Sequence, residues 1–290
     1  MPRATSIPPE LPLLGAMCSV QFGSAFADTI FPKAGPAGVA LLRVLLSALV
    51  LLVITRPSVR GRSRAELALV AGYGLNLAAM NWSFYEALHR LPLGVAVTIE
   101  FLGPLGVAIA GSRRPRDVVW VVLAGSGVAL LALRGGENGV RPLGVLLALV
   151  AGCCWAGYIL LAQRVGRHFG AAEGLALGSA VGTLLVLPAG IVEGGTALLH
   201  ADVLGPCLGV AMLSSLVPYT LEMIALRRLT AAVFGLLMSI EPAVAALAGV
   251  AVLGQPLTVT LAIAVALVVV ASAGSTLSSR RAVVPASPQP

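Results

Sequence analysis

Charge is what this chain has least of. Asp, Glu, Lys and Arg make up 11% of its 290 residues, against about 25% in an average soluble chain. Mean hydropathy is +0.97, which excludes an ordinary soluble domain. Aromatic residues are scarce at 5%. Cysteine is limited to Cys18, Cys153, Cys154 and Cys207, all inside apolar runs and without C-x-x-C or Cys/His spacing. They read as small buried hydrophobes rather than metal ligands. There is no Walker A sequence, which removes support for ATP-driven pumping, and no H-E-x-x-H zinc pattern. Gly125-Ser126-Gly127 is too short for a nucleophile elbow. No cofactor and no metal is expected.

What the chain has instead is long apolar blocks, with 58% hydrophobic residues overall. A helix apolar all round belongs in lipid or in a very large core, and this chain is too short for such a core. The expected architecture is an all-α membrane protein of ten transmembrane helices, over 11–31, 36–55, 67–88, 91–112, 117–133, 142–163, 171–192, 203–225, 231–252 and 257–277. Turn and charge signals such as TRPSVRGRSR, SRRPRD and RGGENGVRP separate them. Ala25-Phe26-Ala27 looks like a signal-peptidase site, but Glu10 and the early prolines argue against a signal peptide. Both ends read as disordered, with 280–290 as a cytoplasmic tail.

Ten spans put both termini on one side. If that side is cytoplasmic, the inner segments hold fourteen basic residues and the outer ones four: Lys33, Arg90, Arg134 and Arg141. This is the positive-inside bias. The net charge of +7 is then topological, and nucleic acid drops out as a partner, leaving the lipid bilayer.

Two segments are near-copies. TIEFLGPLGVAIAG at 98–111 and LLMSIEPAVAALAG at 236–249 align with Pro104 and Pro242 138 positions apart. EALHRL at 86–91 and IALRRL at 224–229 follow the same offset. The chain divides into five-helix repeats over 1–138 and 139–279. Five is odd, so the halves are inverted, as in secondary transporters that bind substrate near the midplane.

Glu100 and Glu241 lie mid-span, where a carboxylate is costly by roughly 2.5 kcal/mol or more. Glu100 precedes its proline by four residues and Glu241 by one, so they differ by one turn in register. Pro104, Pro242 and Pro218 each remove a helical N–H and mark helix breaks. Glu222 lies shallower, and Glu86 shallower still on the other side. These carboxylates are candidates for proton coupling, with a structural role as the alternative, most strongly for Glu86. Arg43 is deep enough to need an anion: Asp28, Glu100 or a substrate carboxylate. Gln21, Asn76, Asn81, Tyr85, Trp155, Tyr158 and Tyr219 could line a path for a polar solute or mark interfaces. Gly170, Gly174, Gly178 and Gly182 form one smooth face, and Gly15, Ser19, Gly23 and Ala27 another.

The chain resembles the drug/metabolite transporter superfamily, and within it the bacterial threonine/homoserine exporters. The resemblance rests on SVQFGSAFADTIFP (19–32), ALLRVLL (40–46), MNWSFY (80–85), PLGVAVTIEFLGPL (92–105), SRRPRD (112–117), GCCWAGYIL (152–160), VPYTLEMIALRRL (217–229), FGLLMSIEPAVAALAG (234–249) and GSTL (274–277). It implies a proton-driven inner-membrane exporter of small amino acids such as threonine or homoserine. Glu100, Glu222 and Glu241 stand at the family's carboxylate positions, whereas Glu86 has no counterpart. With Arg43 the one basic residue inside a span, a zwitterionic substrate fits better than a sugar phosphate. A multidrug or other metabolite exporter on the same fold is the first alternative. A polytopic membrane enzyme or scaffold, which would move no substrate, is the second.

Overall fold

The computed structural model describes residues 8, 10–110, 117–134, 141–226 and 228–280. Among them there is helix and no strand. The helices are α1 Glu10–Asp28, α2 Phe31–Thr55, α3 Arg64–Leu88, α4 Leu93–Glu100, α5 Leu102–Ala110, α6 Val118–Arg134 and α7 Pro142–His168. They continue as α8 Ala171–Gly194, α9 Ala201–Ala211, α10 Val217–Leu226, α11 Ala231–Met238, α12 Glu241–Leu253 and α13 Val259–Arg280. Three pairs, α4 with α5, α9 with α10 and α11 with α12, are interrupted halves of one longer helix, which leaves ten helical units. The expected 280–290 tail, and the arginines of SRRPRD, lie outside the described residues apart from position 280.

Seven of the ten units are long and apolar enough to cross a membrane. α6 is apolar but short, its apolar stretch covering Val118–Leu133. α1 and α3 fall outside the seven because they carry Ser19, Gln21, Ser24 and Asp28, and Asn76, Asn81, Ser83 and Glu86. Their buried polar faces dilute the hydropathy that composition alone would credit to a span.

Local chemistry explains where helices start, bend and stop. Ser63 and Glu66 form a reciprocal capping box at the start of α3. The Ser63 hydrogen bonds hold the Glu66 carboxyl below its usual range. α2 is reset at Gly35, with φ 67° and ψ 161°, followed by Pro36. The N–H of Ala37, freed by that reset, donates to Glu193 Oε2 at 2.7 Å. α12 ends at left-handed Gly254. The next residue, Gln255, accepts the Leu93 N–H at 2.9 Å and so ties the end of α12 to the start of α4.

Backbones approach closely where glycine permits. A Cβ on Gly74 would stand 2.1 Å from the Gly178 carbonyl oxygen, and one on Gly182 2.6 Å from the Gly74 oxygen. The glycine face of α8 is therefore the seat of α3. Cys207 is buried, but Cys18 and Cys153 face outward and Cys154 is half-buried. A thiol is apolar enough for a lipid-facing surface as well as for a core.

The largest apolar cluster gathers Ile30, Phe31, Leu91, Leu93, Leu198 and Val203. These residues adjoin the connections 29–30, 89–92 and 195–200. The Phe31 ring meets His89 at 6.0 Å between centroids, and Lys33 pairs with Asp202 at 2.7 Å. These contacts tie the connections at that end of the bundle to one another.

Candidate functional site

The interruptions lie N-terminal to the prolines. Pro104 has no N–H to offer the Glu100 carbonyl one turn back, and helix is lost at Phe101. The freed Glu100 carbonyl is covered by α7, where a Cβ on Gly152 would come within 2.7 Å of it. Pro242 sits in the first turn of α12, after a break over 239–240. Both bounds of α11 lie 138 residues beyond those of α4, so the two breaks match in position. Glu100 is the last residue before the first break, and Glu241 is the first residue after the second. Ahead of Pro218 the helix widens into a π turn over Met212–Leu216, in which the Val217 N–H reaches back to the Met212 carbonyl.

These irregular segments surround a cavity of about 480 Å³, a size suited to a small molecule. Among the described residues, every helical unit except α6 contributes to its lining. Of the residues singled out in the sequence, Gln21, Arg43, Asn81, Glu100, Trp155, Tyr158, Glu222 and Glu241 line it, together with Pro104 and Pro218. Pro242 is buried beside Glu241 without lining the cavity. Tyr85 lies fully buried behind it and reaches it through Arg43. The Tyr219 side chain lies outside the described residues.

Arg43 is held from two sides. Its Nη1 donates to the Tyr85 hydroxyl at 3.1 Å and its Nη2 to the Ser214 carbonyl at 3.4 Å. The guanidinium carbon stands 5.2 Å from the centroid of the Tyr85 ring, within cation–π range. No carboxylate ion-pairs with it among the described residues. Asp28 faces His89 instead, because it is the last residue of α1 and lies beside the end of α3. Glu100 is close enough to feel the charges of both Arg43 and Glu241.

Glu241 has one dedicated partner. Gln21 Nε2 donates to Glu241 Oε1 at 2.9 Å. The second carboxylate oxygen, Glu241 Oε2, and the amide oxygen Gln21 Oε1 are buried with no hydrogen-bond partner. The carboxylate also stands at the N-terminus of α12, where backbone N–H dipoles point toward it. Glu222 lies near enough to interact with Glu241.

The remaining polar residues serve the frame. Asn76 Nδ2 donates to the Cys154 carbonyl at 2.8 Å and pins α3 to α7. Glu86 is paired with Arg90 and accepts from Trp82 Nε1 at 3.3 Å, away from the cavity. Trp155 meets Phe101 edge-on at 5.6 Å, beside the first break, and Tyr158 stacks on Tyr73 at 5.5 Å. The sequence reading missed the cavity's hydroxyls: Ser24, Ser47, Ser179, Ser214, Ser215, Ser272 and Thr276. Isolated serines in apolar helices look like packing residues, and the one available signal was Ser214-Ser215 ahead of Pro218.

Residues 142–277 match the EamA-like transporter family. The chain is 46% identical over 275 residues to the threonine/homoserine exporter RhtA of Salmonella typhimurium, covering 94% of this chain and 92% of that one. It is 45% identical, over the same span and shares, to the exporter of that name from Escherichia coli K12. A solved crystal structure, 22% identical, superposes with a TM-score of 0.60 over 94% of this chain and 99% of its own, which shows a shared fold. An apolar helical bundle around an amphoteric cavity, with this likeness along nearly its whole length, is a multi-pass membrane transporter rather than an enzyme, and the chain belongs to the EamA-like transporter family.

Proposed function

We propose that this transporter exports small amino acids of the threonine and homoserine type across a bacterial inner membrane in exchange for protons, with both termini cytoplasmic. The observation that carries the reading is a cavity lined mostly by apolar side chains that holds Arg43 apart from any carboxylate pair and sets Glu241, Glu100 and Glu222 around it. A zwitterion carries the complementary charges. Its carboxylate would meet Arg43, and its ammonium would meet the Gln21–Glu241 pair, whose remaining oxygens are buried without partners. Glu100, which has no hydrogen-bonded partner among the described residues, would exchange a proton as substrate arrives or leaves. The names of the two relatives favour hydroxy amino acids as cargo.

We further propose two inverted five-helix repeats, 1–138 and 139–279, as the basis of alternating access. The helix pairings support this. α2 packs on α8 and α6 on α13, helices in corresponding positions of the two halves. The pairing of α3 with α7 is answered by that of α1 with α10, and α4 with α7 by α1 with α12.

The test is flux in proteoliposomes with an imposed pH gradient and a panel of amino acids. Threonine and homoserine should move against their gradients, and dissipating the pH gradient should abolish accumulation. Apolar cations that were pumped while amino acids were not would favour the multidrug reading, to which Met80, Phe84, Phe234 and Met238 in the lining would be suited. No flux of any solute would sink the proposal.

A further inference from the structure

A proline inside a helix leaves a carbonyl one turn back without its donor. Pro218 does this where the α9–α10 unit lines the cavity. The helix does not break there but widens into the π turn Met212–Leu216, a distortion found frequently at functional sites. The Val217 N–H has moved back five residues to the Met212 carbonyl. In that wider register the next N–H, at position 218, belongs to the Leu213 carbonyl. In α-helical register it belongs to the Ser214 carbonyl. Proline can serve neither.

Both carbonyls accept from the first half of the chain. Ser19 Oγ donates to the Leu213 carbonyl at 2.6 Å, and Arg43 Nη2 to the Ser214 carbonyl at 3.4 Å. The contacts continue at helical spacing. Gly23, one turn after Ser19, lets α1 lie against the π turn, since a Cβ there would run into Ser214 Oγ. Ser47, one turn after Arg43, donates to Ser215 Oγ at 2.9 Å. The sequence repeat does not supply this arrangement twice. The position 138 residues before Pro218 is Met80, and α3 passes through it unbroken from Arg64 to Leu88. The proline stands only in the half that faces Arg43.

We propose that Pro218 and Tyr85 are positioning residues for Arg43, which hold its guanidinium in the orientation that receives a substrate carboxylate. This rests on the amino-acid exporter reading above. Tyr85 takes Nη1 through its hydroxyl and the face of the guanidinium through its ring. Pro218 keeps the Ser214 carbonyl open to Nη2. Two anchored N–H groups fix the plane of the fork, and a planar fork grips a carboxylate only when it is aligned. Both anchors are uncharged, so they orient the cation without cancelling its charge. Arg43 is only half-buried and lines the cavity, which leaves that charge to the solute.

The experiment measures, in proteoliposomes, the half-saturation for threonine and the inhibition constant of threoninamide, which keeps the ammonium and hydroxyl but has no carboxylate. Pro218→Ala, which restores an N–H to the turn, should raise the threonine value about tenfold and leave the threoninamide value unchanged. Tyr85→Phe, which removes one hydroxyl and keeps the ring, should act in the same direction to a smaller degree. In an Arg43→Lys background neither change should have a further effect, because both act through the guanidinium. A threonine value that stays unchanged in either folded variant, or that weakens together with the threoninamide value, overturns the assignment. So does an effect that persists in full beside Arg43→Lys. Each of these results leaves the exporter reading standing, whereas a wild type that moves neither threonine nor homoserine overturns both.

Discussion

The α4–α5 and α11–α12 helices break at the same offset yet present their carboxylates from opposite sides of the break. Glu100 closes α4, where helix carbonyls converge, and Glu241 opens α12, where N–H groups converge. Their surroundings differ as well. All eight residues of α4 are buried, and Gly103 and Gly152 bring α5 and α7 into backbone contact. On the other side, residues 233–238 of α11 are half-buried, and Glu241 gains a partner from another helix, Gln21 of α1. Related segments have thus become one tightly packed wall and one looser wall with a supported carboxylate, which argues for separate jobs.

The largest expected effect tests the packed wall. A Cβ on Gly103 would stand 2.0 Å from the Gly152 carbonyl oxygen, while one on Gly106 meets nothing within 4 Å. Gly103→Ala should therefore destabilise by about 3 kcal/mol. Gly106→Ala should be neutral or stabilise by up to about 1 kcal/mol. Thermal unfolding in detergent compares them, and equal melting temperatures would remove the contrast.

The carboxylates come next. Glu241→Gln should raise the half-saturation for amino acid about 10- to 100-fold, the effect of losing a charged hydrogen bond. Glu100→Gln should leave half-saturation nearly unchanged but uncouple flux from the imposed pH gradient. Counterflow and pH-jump assays on the same preparations separate the two. If both variants lost affinity equally, the glutamates would be interchangeable and the division of labour wrong.

The smallest effect concerns the prolines. Pro242 occupies a first turn, where its missing N–H is no loss, so Pro242→Ala should change stability by less than about 1 kcal/mol. Pro104→Ala supplies an N–H to the Glu100 carbonyl and so favours a continuous helix. It should slow turnover more than Pro242→Ala does, measured as initial efflux rates at saturating substrate.

Much of the fold was legible in the sequence alone, because apolar runs and turn signals are local or additive properties. The exceptions are instructive. α1 and α3 fall short of the apolarity of a span because they carry polar residues that serve the cavity (Gln21, Ser24, Asn81) or helix–helix and helix-end contacts (Ser19, Asp28, Asn76, Glu86), and the helix breaks fall a few residues before their prolines because the missing N–H acts one turn back. The carboxylates and Arg43 were visible because a charge in an apolar run is conspicuous. Arg43's surroundings were not: Asp28 and Glu100 were the anions at hand in sequence, but the guanidinium rests on Tyr85 and the Ser214 carbonyl. The serines were hidden because a hydroxyl in a helix usually satisfies itself on the preceding turn, as Thr98 and Thr183 do here.

The sequence by itself determined that this chain is a helical membrane protein with two related, proline-interrupted segments, each bearing a carboxylate, one helical turn out of register. Hydrophobicity, proline's missing donor and spacing along the chain require no knowledge of neighbours. Tertiary structure alone decided which of those groups meet. Gln21 and Glu241 are 220 residues apart, and Arg43 and Ser214 are 171 apart. Only the packing of α1 and α2 against the second half joins them in one cavity, because contact depends on how helices cross and not on their order in the chain.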